Sequence, residues 1–395
     1  MSTRSLPLAL HDLRATTRLA GLAVASLLAS GALLAGGITA ATAAHAAVEK
    51  LAAGPPAAKD SDRPSPVTGA DGASAEKGGE GVKRDSRADT SGLPEGRQPW
   101  WPSRYGADDQ IGTLNELTPE RVLAAMQMVK TGERTSLGRI IDENIPVFPG
   151  RWWRQSLDIT PHITNLNRSD TSGQGWGKNE INWITEIQAG TFQVGTQIDS
   201  IGHIQTGDRF YNGWKIEDVV ESWGLNRFGT ESIPPVIGRG VLVDAAAAKA
   251  VTRLETGYVI TVSDVEAALA REKVAIGPGD IVLFHTGWGG LWGVDNPRFL
   301  SGEPGPGLDL IRWLYDRHVA AVGTDSWSIG PVPGEDPARP FLVPQTMYVD
   351  MGLFGFENLA TEELARRNIY EFLFVSTNAR TRGSTAAFVA PAALF

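Results

Sequence analysis

The stretch "VGTQIDSIGHIQTGDRFYNG", Val194 to Gly213, decides how the rest of this chain is read. It gathers Gln197, Asp199, His203, Asp208 and Arg209 between glycine-bounded turns, with Gln193 just before it. Alternation in "TFQVGTQID" predicts a strand on which Gln193, Gln197 and Asp199 share one face. The turn after Asp199 would bring His203 back beside that face. A carboxylate, amide oxygens and an imidazole at one strand end suit a divalent ion, or a water held for general-base attack. Spacing alone leaves the choice open, because an Asp-x-x-x-His pair recurs by chance and a buried polar network reads equally well.

The surrounding chain has 395 residues. Arg4, Arg14 and Arg18 precede or open an apolar run from Leu19 to about Ala41, and "AHA" follows at Ala44 to Ala46. This order predicts a secretory signal peptide over residues 1–46 and a secreted or cell-envelope protein, rather than a membrane anchor. Residues 47–97 are rich in Ala, Gly, Pro, Ser and charge. With almost no large apolar side chain they cannot offset the entropy of ordering, so they read as a disordered linker. One domain is expected over residues 98–395, large enough for a sizeable core.

No cysteine is present, which excludes disulfides, thiolate zinc sites and cysteine nucleophiles. The formal net charge is −9, and removing the leader, with three arginines against Asp12, leaves the remainder near −11. An acidic chain without a basic block argues against nucleic acid, and against stable membrane association once the leader is gone. A small molecule is the expected partner.

Downstream, helical and strand patterns alternate. Thr118 and Pro119 form an N-cap and N1 pair for the helix "PERVLAAMQMVK". "GVLVDA" reads as a buried strand, "SDVEAALARE" as a helix with a Ser263/Glu266 capping box, and "GDIVLFHTG" as a strand. The helix "LDLIRWLYDR", strand "VAAVGTDS", helix "TEELARRN" and closing strands "YEFLFVS" and "TAAFVAP" complete a mixed α/β domain.

Taken together, "GTQIDSIGH", "FYNG", "GRGVLVD", "GDIVLFHTGWG", "VGTDSW", "ENL" at Glu357 to Leu359 and "YEFLFV" resemble the metal-dependent cyclase family, which contains bacterial kynurenine formamidases and isatin hydrolase. The resemblance spans about residues 98 to 395. The family signature is His-x-Gly-Thr-His-x-Asp-x-Pro-x-His; Gly195, Thr196, Asp199 and His203 match it. Gln193 and Gln197 stand at its two histidine ligand positions, Ile201 at its proline, and Pro344 where related chains often carry a further histidine. The form GTQxD resembles that of a branch of longer members.

The resemblance implies a swivelling β/β/α fold, a dimer, and hydrolysis of an amide of arylformamide type or of a cyclic amide or ester. It also implies zinc or manganese held by Asp199, Gln197, Gln193 and Glu357, with His203 acting on the attacking water. Amide oxygens are harder, weaker donors than imidazole, so zinc affinity should fall. Two rival readings stand beside this one: a non-catalytic binding protein, and a metal-free enzyme using His203 and Asp199 as an acid–base pair.

Among twelve tryptophans, Trp176, Trp288 and Trp292 lie in glycine-rich loops and are candidates for a pocket wall, with core packing the ordinary alternative. Asp325, at a strand end, is a candidate for orienting a loop near the site, or a plain turn residue. His162, in an irregular Trp-rich region, could equally line a pocket. His285 and His318 read as strand-end and helix-end residues.

Overall fold

The computed structural model describes residues 86–91, 93, 97–159, 178, 179 and 183–395. The leader, nearly all of the linker, His162 and Trp176 lie outside the described residues, which belong to one unit, Val82–Phe395. Among the described residues nine strands form the main sheet. They are β1 (Arg134–Ser136), β2 (Gln197–Asp199), β3 (Val236–Asp244), β4 (Ile281–His285), β5 (Ala321–Thr324), β6 (Phe354–Glu357), β7 (Glu371–Ser376), β8 (Ala386–Phe388) and β9 (Ala392–Leu394). Their order across the sheet is β1-β9-β7-β3-β4-β5-β6-β2-β8.

The centre, β3 through β6, is parallel, and both ends are antiparallel. Parallel strands covered on both faces need continuous apolar runs. Val241–Leu242–Val243, Ile281–Val282–Leu283–Phe284 and Ala321–Val322 supply them, all buried. Each large side chain sealed there contributes about 1.5–3 kcal/mol relative to exposure. Helices α1 (Pro119–Met126), α2 (Val262–Glu272), α3 (Leu308–Asp316) and α4 (Glu362–Arg367) accompany the sheet. Helix α2 buries Val265, Ala268 and Leu269, and α3 buries Leu310, Ile311 and Leu314, at the spacing of one helical face. None of the described helices is long and apolar enough to cross a membrane.

The mixed α/β domain forms as expected, and Thr118 caps α1 by accepting from the Arg121 N–H. Two local expectations are corrected. Helix α2 begins earlier than Ser263: its capping box is Thr261 with Asp264, because Thr261 is the last extended residue and its hydroxyl reaches the Asp264 N–H. The predicted strand over "TFQVGTQID" shrinks to β2. Gly195, at φ 65°, turns the backbone out of the extended region, so Gln193 lies outside the ladder.

Register in the antiparallel end is what positions the site. Residue Gln197 of β2 stands opposite Glu357 of β6, and Asp199 opposite Gly355. On the other side β8 places Phe388 opposite Gln197 and Ala386 opposite Asp199. The loop leading into β2 is fastened to the end of β6. The Thr196 hydroxyl donates to the Asn358 carbonyl (2.7 Å), and the Asn358 amide donates to the Gly195 carbonyl (2.9 Å). The Gly-Thr and Glu-Asn pairs of the sequence are thus two halves of one clasp.

At the C-terminal end of α2, buried Glu272 receives the Asp244 N–H (3.0 Å) and lies 3.3 Å from Arg271. Burial pushes its carboxyl up to about 7, from an ordinary 4.5. Below about pH 4.5 the group is protonated in folded and unfolded chains alike. As pH rises from there toward 7, the unfolded chain ionises and the folded chain does not, so stability is lost across that window. Urea denaturation between pH 4.5 and 7 should show this decline in the parent protein and a flatter profile in Glu272→Gln.

Candidate active site

A cavity of about 290 Å³ opens beside the β2–β6 register. Its polar side is made by Asp199, His203, Arg151, Tyr348 and Glu357, and its apolar side by Phe148, Trp327, Phe341 and Pro344. Strand alternation puts Gln197 and Asp199 on one face of β2, and register adds Glu357 from β6. The Gln197 amide nitrogen donates to Asp199 Oδ1 (3.1 Å) and to Glu357 Oε2 (2.9 Å). Its carbonyl oxygen is buried without a partner. Tyr348, from the π-helical segment Thr346–Met351, directs its hydroxyl at Asp199 Oδ2 (3.4 Å).

Glycine at position 355 makes that contact possible. A Cβ there would come within 2.7 Å of the Tyr348 hydroxyl and 2.3 Å of Ile329 Cδ1. Burial raises both acidic groups above the ordinary carboxylate range. For Asp199 the His203 and Arg151 charges oppose the shift, whereas for Glu357 the Asp199 charge adds to it.

His203 sits on the turn after β2, its N–H bonded to the Ser200 carbonyl. Its Nδ1 lies 3.5 Å from the Gln193 amide, which also contacts the Thr385 hydroxyl (2.7 Å). The Thr385 hydroxyl both donates and accepts, so it serves either orientation of that amide. Gln193 is therefore the group beside Nδ1, and the other ring nitrogen is left for a ligand.

The cavity brings together Asp199, His203 and Glu357, with Gln197 behind them. Trp288 and Trp292 do not line it. Trp288 is fully buried and donates to the Phe299 carbonyl (3.0 Å), and Trp292 stacks edge-on against Phe299. Asp325 is also buried away from the cavity wall. It accepts the Thr286 hydroxyl (2.5 Å) and the Gly289 N–H (3.4 Å), holding the turn after β4, with His285 Nδ1 at 3.5 Å. His285 bonds Thr361, and His318 bonds Glu116.

Several site residues lie outside the quoted motifs, although Trp327 closes "VGTDSW". Arg151 lines the cavity while donating to the Gln193 carbonyl (2.9 Å). Phe148, Trp327 and Phe341 form a mutual ring cluster, with centroids 5.3–6.2 Å apart. Behind them Glu303, wholly buried, accepts the N–H groups of Trp327 (2.9 Å) and Ser328 (3.2 Å). Burial, and then the Glu357 charge, push its carboxyl well above the usual range.

The donor set does not fit a zinc-type ion. Among the described residues no group of three or more His, Asp or Glu side chains is arranged to hold a metal ion. The amide nitrogen of Gln197, a hydrogen-bond donor, points at the two carboxylates such an ion would use. Pro344 offers no donor atom at all.

Gly355→Ala is expected to lower stability by about 1–3 kcal/mol through overpacking against Ile329 and Tyr348. Chemical denaturation measures it; an unchanged midpoint would contradict the close approach.

Among curated proteins nothing matches the chain. The family model described as "Putative cyclase" matches residues 135–331. A crystal structure described as a novel cyclase is 30% identical, covers 74% of this chain and 98% of its own, and superposes with a TM-score of 0.65. Isatin hydrolase A from Ralstonia solanacearum is 20% identical over 70% of this chain and 97% of its own, with a TM-score of 0.50. An isatin hydrolase bound to the product analogue thioisatinate is 18% identical over 71% and 99%, also at 0.50. These last two share the fold. On the first structure and the family match, the chain belongs to the cyclase family.

Proposed function

We propose that this protein is a hydrolase that opens a cyclic amide or ester, or cleaves an arylformamide-like amide, in the cavity beside β2 and β6. The observation that carries the reading is the convergence of His203, Asp199 and Glu357 on a cavity whose opposite wall is aromatic. The isatin hydrolases that share the fold act on a compound of the same kind, a fused aromatic ring bearing a cyclic amide.

Chemistry here runs through the chain's own groups. An aromatic ring lies against Phe148, Trp327 and Phe341, which sets its carbonyl toward the polar side. When the Gln193 amide turns its oxygen toward Nδ1–H, an orientation the Thr385 hydroxyl also serves, His203 Nε2 takes a proton from water as the oxygen attacks the carbonyl carbon. Arg151, with N–H groups beyond the one given to the Gln193 backbone carbonyl, is the donor available to the developing oxyanion. Collapse breaks the C–N or C–O bond, and His203 returns its proton to the leaving atom.

Export and dimer formation belong to the same proposal. The leader sequence supports the first. Support for the second is the hairpin Trp153–Ile159 with Ile184–Gly190, which leaves Leu157, Ile184 and Ile187 more than half exposed. An isolated two-stranded hairpin is marginal in water, and a second copy would cover it. Sedimentation should give twice the chain mass; a single chain mass overturns the dimer.

The reaction is tested by turnover of a panel of cyclic amides, lactones and arylformamides. His203→Ala should lower kcat by about 10²–10⁴-fold on any substrate found, with the melting curve unchanged. Equal rates in parent and variant would remove His203 as the base. No turnover across the panel would favour the reading as a binding protein.

A further inference from the structure

We infer that the Gln197 side chain takes the place of a divalent ion between Asp199 and Glu357, so that this site is built to stand without a resident metal. Two carboxylates brought onto one buried sheet face need a positive partner between them. Register leaves one position for it, the residue opposite Glu357 and two before Asp199, and Gln197 holds that position. Its amide nitrogen has two N–H groups, and both are spent: one on Asp199 Oδ1 at 3.1 Å, one on Glu357 Oε2 at 2.9 Å.

The orphaned Gln197 carbonyl oxygen argues in the same direction. Turning the amide over would cost both of these bonds. It would put a third oxygen against two carboxylates and strip both of their donor. An unpaired carbonyl is the smaller cost, since a bare carboxylate loses far more than a neutral acceptor on burial. A cation entering between Asp199 and Glu357 would first have to displace the positive end of this dipole. Further positive charge is already supplied by Arg151, which lines the same cavity.

Other nitrogen donors are committed or missing. The Gln193 amide is occupied by Thr385, and the nearby His203 ring meets Gln193 through Nδ1. The cavity wall carries Pro344 rather than a ligating side chain. A single imidazole with two carboxylates already bridged by an amide makes a poor seat for zinc or manganese.

This inference does not rest on the hydrolase reading, because its readout is metal content and thermal stability rather than turnover. Full-length protein, purified without chelator, would be analysed for zinc and manganese. It would then be titrated with each ion by calorimetry and melted with and without a strong chelator. The expected result is trace metal, no saturable binding at this site, and a melting temperature that neither chelator nor ion shifts. Gln197→Glu removes the amide donors and adds a carboxylate. It should gain divalent-ion binding, with a melting temperature raised by manganese. Gln197→His, which supplies an imidazole, should do the same with zinc. Near-stoichiometric zinc or manganese in the parent protein, lost in Asp199→Asn, would overturn the inference even if neither Gln197 variant folds.

Discussion

Two carboxylates buried side by side on one face of a sheet are the constraint around which this domain is arranged. Asp199 and Glu357 belong to neighbouring antiparallel strands, and neither can retreat to solvent. Their mutual repulsion in a poorly polarisable interior has to be offset by groups brought from elsewhere. Gln197 reaches them from within β2, Tyr348 from the π-helical segment, and Arg151 from the foot of the hairpin. Each of these imposes a further condition: Gly355 must lack a side chain, and the Thr196–Asn358 clasp must hold the register. A defect at any of these positions would be felt first as an unpaired charge.

The polar floor and the aromatic wall are built by different means. Strand hydrogen bonds fix the floor to the core of the sheet, whereas Phe148, Trp327 and Phe341 lie on loops. Glu303 compensates for this by gripping the Trp327 and Ser328 N–H groups from behind. A carboxyl whose burial favours its neutral form is an unusual choice of loop anchor, but it can accept two N–H bonds without needing a counter-ion.

Much of the fold and part of the site were legible in the sequence. The buried strands of the centre announced themselves through apolar runs such as "GVLVDA" and "GDIVLFHTG", since a strand buried on both faces tolerates nothing else; their parallel pairing did not. Asp199, His203 and Glu357 stood in motifs and do converge. What escaped were side chains whose role depends on long-range placement. Arg151, Tyr348 and Phe148 become neighbours of the site only through chain reversals that no local pattern records. Glycines misled in the opposite direction: around Trp288 they suggested a pocket wall, yet they serve close packing. A Cβ on Gly287 would strike the Thr252 carbonyl, and one on Gly289 the Arg139 guanidinium. Strand length failed for a simpler reason, because alternation of residue types continues through Gly195 while the backbone does not.

The separation between a sheet-borne floor and a loop-borne wall has an evolutionary consequence. Exchanging Phe148 or Phe341 for another shape would alter which rings the cavity admits without disturbing a single ladder bond beneath them. Ligand choice and reactive geometry can therefore drift independently. A lineage built this way could explore new small molecules while inheriting the same floor intact.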